Sequence, residues 1–392
     1  MFNCIIVAYA ASTMSEKRFS ETFADSKMMP GQQAQKFNRL LMRGLAENGI
    51  KVNCVSAPPI TVGNTKRKYV NIKNDIENGV EYKYLPVINI SRLKNLLCLI
   101  SSFFITLHFC KNRNCVVVCD VLNISVSLGA TFAAKVLKRQ SVGIVTDVPE
   151  LMVTGHSEKQ VNLCHKVIRN CDKYVFLTEA MNERLNPKRK PYIIIEGVCD
   201  SHVDYQTITQ HEENGIKKCF YAGLLDAEYG VKNMVDGFLK ANINGAEMHI
   251  CGKGPYEEEL KSIAEKDKRV LFHGSVLNKD VVLMEKNCDL LINPRPVSGE
   301  FTMFSFPSKI LEYMASGTAT LATELPGIPK EYFDYLLKID DDTSSGIAKA
   351  IEDAISLSKT ELHVVGSKAQ KWVIANKSQN QQGNRLLELI NQ

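Results

Sequence analysis

The hydrophobic pattern alternates short apolar runs with amphipathic stretches along the whole chain. Residues 2–10 form an apolar run typical of a first strand, and residues 11–31 form a long polar loop. Gln35 to Asn48 carries apolar residues at helical spacing and is followed by Gly49, which predicts a helix that ends there. Lys51 to Ser56 predicts the second strand. This order opens a Rossmann-like unit, although the glycine pattern of a dinucleotide site is absent.

The same alternation continues through the first half of the chain. Residues 58–90 are rich in turns and predict an edge hairpin. Residues 204–217 are polar, as expected of a linker between domains. Between these segments the pattern predicts a helix at Ser125–Leu137 and strands at Cys115–Asp120, Ser141–Thr146, Tyr174–Thr178 and Tyr192–Ile195.

One apolar stretch, Leu96 to Cys110, allows two interpretations. Two serines and a histidine interrupt it, and it is shorter than the roughly 20 apolar residues of a membrane span. The favoured interpretation is a buried helix packed against the sheet. The other is a surface that docks on a bilayer, because Arg92 and Lys94 precede the stretch and Lys111 and Arg113 follow it.

The segment from Leu290 to Tyr332 carries the clearest chemistry. It reads as an apolar run, a polar loop, a short helix, a second apolar run and a Gly/Pro turn. Pro307 suits a first helical position, and Gly317 suits the residue just beyond the helix. Ligands of open α/β sheets bind at the carboxyl ends of the strands, where this helix would begin. Unpaired N–H groups there suit a phosphate.

Two charged side chains on that predicted helix fit a nucleotide diphosphate. Lys309 adds positive charge beside the N–H groups of Phe306 to Lys309, which include that of Ser308. Glu312 lies on the same helix face at i+3 and can accept hydrogen bonds from both ribose hydroxyls. The segment therefore predicts a site for a nucleotide diphosphate.

The run FPSKILEYMASGTATLAT, with NPRP before it and LPGIPKEY after it, resembles the donor-site signature of family 4 glycosyltransferases. It is most similar to bacterial members that build capsular or other surface polysaccharides. The resemblance is specific across residues 290–332, moderate across residues 218–275 and loose in the first half.

The resemblance implies the α/β GT-B fold, in which two Rossmann-like domains face a central cleft. Residues 1–205 would bind the acceptor and residues 206–375 the nucleotide-sugar donor. Residues 376–392 would form a helix that crosses back to the first domain.

The resemblance also implies a function. It implies a retaining hexosyltransferase that moves a sugar from a nucleotide-diphosphate sugar, UDP favoured over GDP, to a hydroxyl of a glycan or lipid-linked oligosaccharide. The nucleotide-sugar is a co-substrate, and we expect no cofactor, no metal ion and no nucleic-acid partner. One alternative is a non-catalytic subunit that binds nucleotide-sugars. A UDP-sugar epimerase of the same fold is disfavoured, because the signature does not match it.

The resemblance assigns the donor site residue by residue, with two departures. The family's first signature glutamate would fall at Phe304, so we expect Glu300 to act at the donor sugar. Leu224 and Tyr229 replace the family's basic pair. The residues expected to bind the donor are Gly223, Lys232, Gly252, Gly254, His273, Arg295, Ser308, Lys309 and Glu312. Lys232 is equally well explained as an exposed helix lysine.

In the first domain the resemblance carries over one acid, Asp147, which follows a predicted strand and would face the acceptor as a catalytic residue. A turn-forming or helix-capping aspartate explains it equally well. His156 lies in a nearby loop, where a single histidine is more often solvated than catalytic.

Length and composition add outer bounds. A chain of 392 residues favours two domains. The net charge of +5 suits an anionic nucleotide or an anionic membrane surface. The 12 cysteines form no CxxC pair, so we expect buried, reduced thiols in a cytoplasmic protein. The first residues lack the features of a signal peptide. We expect the protein to touch the inner face of the plasma membrane.

Overall fold

The chain divides into two compact units. One contains Met1–Val198 and Ser378–Gln392, and the other contains Cys199–Lys377. The division falls at Val198, somewhat before the boundary at residue 205 that the sequence analysis set. The computed structural model describes residues 5–26, 28–111, 114–152, 157–203 and 215–392, apart from the side chains of Ser91, Arg92 and Asn278.

The first unit is built on an eight-stranded sheet. The strands of this unit are β1 (Ile6–Ala11), β2 (Lys51–Ser56), β3 (Tyr69–Val70), β4 (Asp75–Glu77), β5 (Val80–Tyr84), β6 (Val87–Ile88), β7 (Cys115–Asp120), β8 (Ser141–Val145), β9 (Lys173–Phe176) and β10 (Tyr192–Ile194). The sheet order is β10-β9-β8-β7-β1-β2-β5-β4, and β3 pairs with β6 separately. All neighbours in the large sheet are parallel except β4 and β5. The α/β class is thereby confirmed.

The predicted edge hairpin is confirmed as the antiparallel pair β4–β5. Asn78 and Gly79 connect the two strands with φ angles of 50° and 76°. Positive φ at both central residues is the conformation that matches the twist of a two-residue hairpin. An Asn-Gly pair adopts it at low cost, which explains why the sequence turns here.

Within the described residues, seven α-helices belong to this unit. They are α1 (Glu16–Phe23), α2 (Gln33–Glu47), α3 (Ser91–Cys110), α4 (Ile124–Val136), α5 (Glu158–Asn170), α6 (Glu179–Leu185) and, from the far end of the chain, α13 (Gln379–Asn391). In the sheet order, β2 lies on one side of β1, whereas β8 lies on the opposite side of β7. The connections β1–α2–β2 and β7–α4–β8 therefore run in opposite directions across the sheet. Right-handed crossovers therefore place α2 and α4 on opposite faces of the sheet.

The prediction of a continuous loop over residues 11–31 was wrong, because α1 lies inside it. Ser15 caps this helix by accepting a hydrogen bond from the Arg18 N–H at 3.2 Å. Phe19 and Phe23 are its buried residues, with ring centres 4.9 Å apart. With only two large apolar side chains at i and i+4, the helix gave a weak periodic signal.

Helix α13 packs against α2 at very short distance. A Cβ on Gly44 would lie 1.8 Å from the Gln379 carbonyl oxygen, and one on Gly383 would lie 2.7 Å from the Gly44 Cα. Beyond this contact Leu386 and Leu389 are fully buried in the core of the first unit. The last helix is thus part of the first unit's core.

The favoured interpretation of Leu96–Cys110 as a buried helix was wrong for one side of α3. Ser102 and Thr106 are fully buried, whereas Leu96 and Phe104 are 55% and 62% exposed. Within the described residues, α3 is the helix that is long and apolar enough to cross a membrane, and 22% of Leu93–Cys110 is buried.

The expectation of reduced thiols was wrong for two cysteines. Cys110 at the end of α3 and Cys115 at the start of β7 form a disulfide. Nine further cysteines within the described residues form no disulfide, and all of these are buried or half-buried.

The second unit is a six-stranded parallel sheet. Its strands are β11 (Lys217–Leu224), β12 (Ala246–Lys253), β13 (Val270–Gly274), β14 (Leu290–Asn293), β15 (Ala319–Thr323) and β16 (Leu337–Ile339), and its helices are α7 (Val231–Lys240), α8 (Glu257–Lys266), α9 (Asn278–Lys286), α10 (Ser308–Ser316), α11 (Ser344–Ser356) and α12 (Lys359–Lys377). The order is β13-β12-β11-β14-β15-β16. The connections diverge between β11 and β14, so the loops after these two strands lie at the topological switch point.

Candidate functional site

The loops after β11 and β12 approach each other closely. Gly223 and Gly252 are paired across these strands. A Cβ on Gly252 would lie 1.9 Å from the Gly223 carbonyl oxygen, and Gly252 has a φ of 147°. A Cβ on Gly254 would lie 2.2 Å from the Leu225 carbonyl oxygen. The backbone at Gly252 and Gly254 therefore needs glycine on steric grounds, because a side chain would collide with the neighbouring loop.

Helix α10 begins at the same edge of the sheet and is anchored to β11. The Ala222 N–H donates to the Tyr313 hydroxyl at 3.1 Å, which fixes the helix beside Gly223. Pro307 is the residue before the first helical turn and has a ψ of 100°, so its prediction as the first helical residue was wrong. Ser308 therefore begins the helix. Gly317 ends it in the left-handed conformation, as predicted, with a φ of 82°.

Lys309 stands in the first turn of α10, half-buried, near the end of β12. Its ammonium lies 6.0 Å from the centre of the Tyr313 ring. Burial raises the pKa of the Cys251 thiol to about 11, and the Lys309 charge acts in the opposite direction. The positive charge of Lys309 is thus felt next to Gly252. Glu312 is half-buried one turn further along α10.

Arg295 is held between two aromatic rings. Its guanidinium carbon lies 5.3 Å from the centre of the Tyr229 ring and 4.9 Å from that of Phe301. A Cβ on Gly230, whose φ is 78°, would lie 2.0 Å from the Pro294 carbonyl oxygen. The loop after β11 and the loop after β14 therefore interlock, and they carry a cation to the switch point.

Lys232 contacts the side chains of Tyr256 and Glu259 and not the glycine loops. Its ammonium lies 2.5 Å from a carboxylate oxygen of Glu259 and 5.4 Å from the centre of the Tyr256 ring. The Glu259 contact raises the pKa of Lys232. This geometry agrees with the interpretation of Lys232 as a helix lysine paired with α8.

The polar loop before α10 contains a short 3₁₀ turn, Glu300–Met303. Glu300 is exposed at its start, and Phe304 is buried at its end, where the family pattern has a glutamate. A Cβ on Gly327 would lie 2.2 Å from the Ser305 carbonyl oxygen, so the LPG turn packs against this loop. No carboxylate stands at position 304, and Glu300 is the acid that its loop presents.

His273, at the end of β13, pairs with His249 of β12. The Nε2 atom of His273 lies 3.0 Å from the Nδ1 atom of His249, and the rings are almost parallel. Burial lowers the pKa of both imidazoles, and His273 lowers that of His249 further, while Glu247 raises it. Both shifts favour the neutral form of the two rings at this side of the sheet.

The first unit has a buried polar network at the carboxyl ends of β1 and β7 that the sequence analysis missed. One carboxylate oxygen of Asp120 accepts hydrogen bonds from the Asn38 amide at 3.0 Å and the Asn123 amide at 2.6 Å. The Tyr9 hydroxyl donates to Asn38 at 2.6 Å. Asp120 ends the apolar run of β7, a placement in the sequence that could have identified it.

Asp147 lies just beyond β8, exposed, and acts on this network through its charge. Burial raises the pKa of Asp120 to about 6, and the charge of Asp147 raises it too, whereas the bonds to Asn38 and Asn123 lower it. The structure thus brings Asp147 electrostatically near Asp120. His156 lies outside the described residues.

Eight of the nine predicted donor residues lie on strands, loops and a helix that meet at the carboxyl edge of the second sheet. They are Gly223, Gly252, Gly254, His273, Arg295, Ser308, Lys309 and Glu312.

A separate surface pocket, lined by Lys286, Asp289, Lys359 and His363 among others, lies at the amino ends of β14 and β15. That pocket is at the opposite edge, so the geometry of glycines and cations favours the carboxyl edge as the candidate site.

Residues 216–357 match the family model described as glycosyl transferases group 1, which covers most of the second unit. A search of curated proteins found no match.

Solved structures show the same fold over almost the whole chain. The Anabaena protein HepE, in complex with UDP and glucose, superposes with a TM-score of 0.61 at 12% identity and covers 98% of this chain and 99% of its own. A lipopolysaccharide outer core galactosyltransferase, WaaB, gives 0.62 at 14% identity with the same coverage. An E. coli trehalose-6-phosphate structure bound with UDP-2-fluoro glucose gives 0.70 at 10% identity, again covering 98% and 99%.

These neighbours establish the GT-B fold with two Rossmann-like units. Residues 216–357, within the second unit, are similar to group 1 glycosyl transferases.

Proposed function

We propose that the protein is a retaining glycosyltransferase that uses a UDP-sugar and needs no metal ion. The observation that carries the proposal is the carboxyl edge of the second sheet. There the close pair Gly223–Gly252, the start of α10 and the side chains of Arg295 and Lys309 converge, inside the segment that matches the group 1 model. The UDP-bound neighbours favour UDP over other nucleotides.

The diphosphate would lie over the glycine loops, against the first N–H groups of α10. Those groups and the positive end of the helix favour negative charge. Arg295 and Lys309 would neutralise the charge that develops as the diphosphate leaves. Glu312 would accept hydrogen bonds from the ribose hydroxyls, since a carboxylate can accept two at once.

The reaction would exchange one C–O bond for another at the anomeric carbon of the donor sugar. The bond from that carbon to the diphosphate breaks, and the acceptor hydroxyl forms a new bond on the same face. The hydroxyl proton passes to the departing diphosphate oxygen. The transition state resembles an oxocarbenium ion, and Glu300 would stand near its positive charge. Asp147 would act on the acceptor from the first unit.

The acceptor class that we propose is a glycan or a lipid-linked oligosaccharide of a surface polysaccharide. This choice rests on the resemblance of the FPSKILEYMASGTATLAT run to bacterial polysaccharide enzymes. A GDP-sugar remains the second choice of donor.

Thermal shift with UDP, GDP and ADP tests which nucleobase the donor site prefers. The expected result is the largest stabilisation by UDP. Release of UDP from a panel of UDP-sugars, with and without glycan acceptors, tests the chemistry. NMR of the product anomeric proton tests retention, and activity in EDTA tests metal independence. Interconversion of UDP-sugars without transfer would instead identify an epimerase.

A second candidate is a subunit that binds the nucleotide-sugar without turning it over. It is favoured by Leu224 and Tyr229 in the places of the family's basic pair and by the buried Phe304 in place of an acid. UDP binding with neither hydrolysis nor transfer would support this candidate and contradict the enzyme.

A further inference from the structure

Helices α3 and α4 share an exposed apolar face, which we call the α3–α4 face. In α3 its residues follow at intervals of three and four, which places them on one side of the helix. In α4 they are four apart. The face comprises Leu93, Leu96, Ile100 and Phe104 of α3 and Phe132 and Val136 of α4, each at least 40% exposed.

The two helices are joined tightly enough for this to be one continuous surface. A Cβ on Gly129 would lie 2.3 Å from the Leu99 carbonyl oxygen. The Ser102 hydroxyl donates to the Val126 carbonyl oxygen at 2.7 Å. The Phe103 ring centre lies 5.2 Å from that of Phe104 and 5.2 Å from that of Phe132, so it bridges the two stripes.

This surface belongs to a helix that the fold holds in place. The buried Ser102 and Thr106 of α3 face the unit's interior, and α3 packs against β1, β2 and β7. A helix with one polar side packed on a sheet cannot cross a bilayer without unfolding the unit. It can lie in the plane of the interface with its apolar side inserted.

The charged residues of α3, α4 and the segments that directly follow them are all basic. Residues 91–114 and 124–140 contain no aspartate or glutamate, although 43 of the 392 residues in the chain are acidic. Their basic residues are Arg92, Lys94, Lys111, Arg113, Lys135, Lys138 and Arg139. The Lys94 ammonium donates to the Ile60 carbonyl oxygen, whereas Lys111, Lys135 and Lys138 are exposed.

The exposed lysines lie at one end of the face. Both α3 and α4 lead into strands of the same parallel sheet, so both helices end at its amino edge. Lys111 directly follows α3, and Lys135 and Lys138 stand at the end of α4. Basic residues at helix ends also suit the helix dipole. Here they border a surface with six large exposed apolar side chains.

We propose that the α3–α4 face docks this protein on an anionic lipid bilayer. Apolar side chains would enter the headgroup region while the lysines contact anionic headgroups. A second copy of the chain docked on this face would bring the basic residues of α3 and α4 against the same basic residues. A bilayer supplies both the apolar interior and the negative charge. The experiments below measure lipid binding and not glycosyl transfer, so a negative result would contradict this proposal without contradicting the proposed function.

Flotation of the full chain with vesicles tests the proposal. We expect binding to vesicles with about one third phosphatidylglycerol at low salt, strong loss of binding at high salt, and little binding to pure phosphatidylcholine, because the attraction is screened. Phe104→Ser with Phe132→Ser should abolish flotation. The control pair, Ile76→Ser with Val364→Ser, removes exposed apolar residues elsewhere and should leave it unchanged.

Two double variants with the same change in net charge show whether the position of the lysines matters or only the net charge of the chain. Lys111→Gln with Lys135→Gln should weaken binding about thirtyfold, the loss expected for two basic residues at an anionic surface. Lys368→Gln with Lys371→Gln makes the same change in net charge on the exposed side of α12 and should have little effect. Thermal unfolding should be alike for all variants, since the altered side chains are exposed.

Three outcomes would overturn the proposal. The first is equal, negligible flotation with every vesicle. The second is flotation that the face variants and their controls reduce alike. The third is self-association of the chain that Phe104→Ser with Phe132→Ser abolishes, without any lipid binding, which would assign the face to a second copy.

Discussion

The guanidinium of Arg295 stacks on the ring of Tyr229, with 5.3 Å between the guanidinium carbon and the ring centre. By the sequence resemblance, Tyr229 takes the place of a lysine of the family, and the loop after β14 brings the cation Arg295 to the Tyr229 ring. The guanidinium carbon also lies 4.9 Å from the centre of the Phe301 ring, and a planar guanidinium suits a phosphate by its forked N–H groups. The interlocked pair Gly230 and Pro294 keeps the two loops in register.

Arg295→Ala should weaken UDP binding by about 1.5–3 kcal/mol, the range for hydrogen bonds to charged groups. Arg295→Lys should recover only part of this, because it keeps the charge but loses the stacked, forked geometry. Isothermal titration with UDP measures both. Lys232→Ala is the matched control, since Glu259 already engages that lysine. A larger loss for Lys232→Ala than for Arg295→Ala would move the diphosphate contact to α7.

Glu312→Ala should also weaken UDP binding by about 1.5–3 kcal/mol, because a charged acceptor of the ribose hydroxyls is lost. A sharper measurement uses 2′,3′-dideoxy-UDP. The wild-type protein should bind this analogue less tightly than UDP, while Glu312→Ala should bind the two about equally, as a double-mutant cycle requires. If the variant still prefers UDP as strongly as the wild type does, Glu312 does not contact the ribose.

Glu300→Gln should lower turnover while leaving UDP affinity nearly unchanged. A carboxylate that stabilises positive charge only in the transition state affects kcat rather than nucleotide binding. Steady-state kinetics together with UDP titration separate the two. Glu228→Gln, a change of another exposed acid near the same edge, serves as control. Unchanged turnover in Glu300→Gln would mean that the loss of the acid at Phe304 has no replacement in this loop.

Asp120 predicts a pH dependence of stability in the first unit. Its pKa is about 6 in the folded chain because of burial, against about 3.9 when unfolded. The folded state therefore holds the proton more tightly, and the free energy of unfolding should fall by about 2 kcal/mol as the pH rises from 4 to 7. Chemical unfolding of Asp120→Asn across this range should show a flatter slope.

The control for this prediction is Asp340→Asn, because Asp340 is largely exposed. It should keep the slope of the wild type. An unchanged slope in Asp120→Asn would show that the Tyr9–Asn38–Asp120 network does not titrate on unfolding as we expect.

Much of the parallel-sheet architecture was predictable because buried strands are continuous apolar runs bounded by turns. Cys115–Asp120 and Lys51–Ser56 were predicted with the bounds that the structure has. The second unit followed from the same pattern, with α10 displaced by only one residue at its start. In these segments local pattern and long-range packing agree.

The remaining differences arise where packing partners are distant in sequence. The periodicity of α3 could not show which of its apolar side chains face the sheet, since it is apolar on nearly all sides. Asp120 and Asn38 are 82 positions apart, and their contact depends on β1 and β7 being neighbours. The stack of Arg295 on Tyr229 likewise depends on β11 and β14 being adjacent.

The discontinuity of the first unit has a consequence for synthesis. Leu386 and Leu389 of α13 are core residues of that unit, yet they follow the whole of Cys199–Lys377 in the chain. The second unit is continuous, so all of its residues are synthesised before those of α13. Domains usually fold in the order in which they are made. In this chain the half that is translated first must wait for its last helix, and the half translated later can finish folding before it.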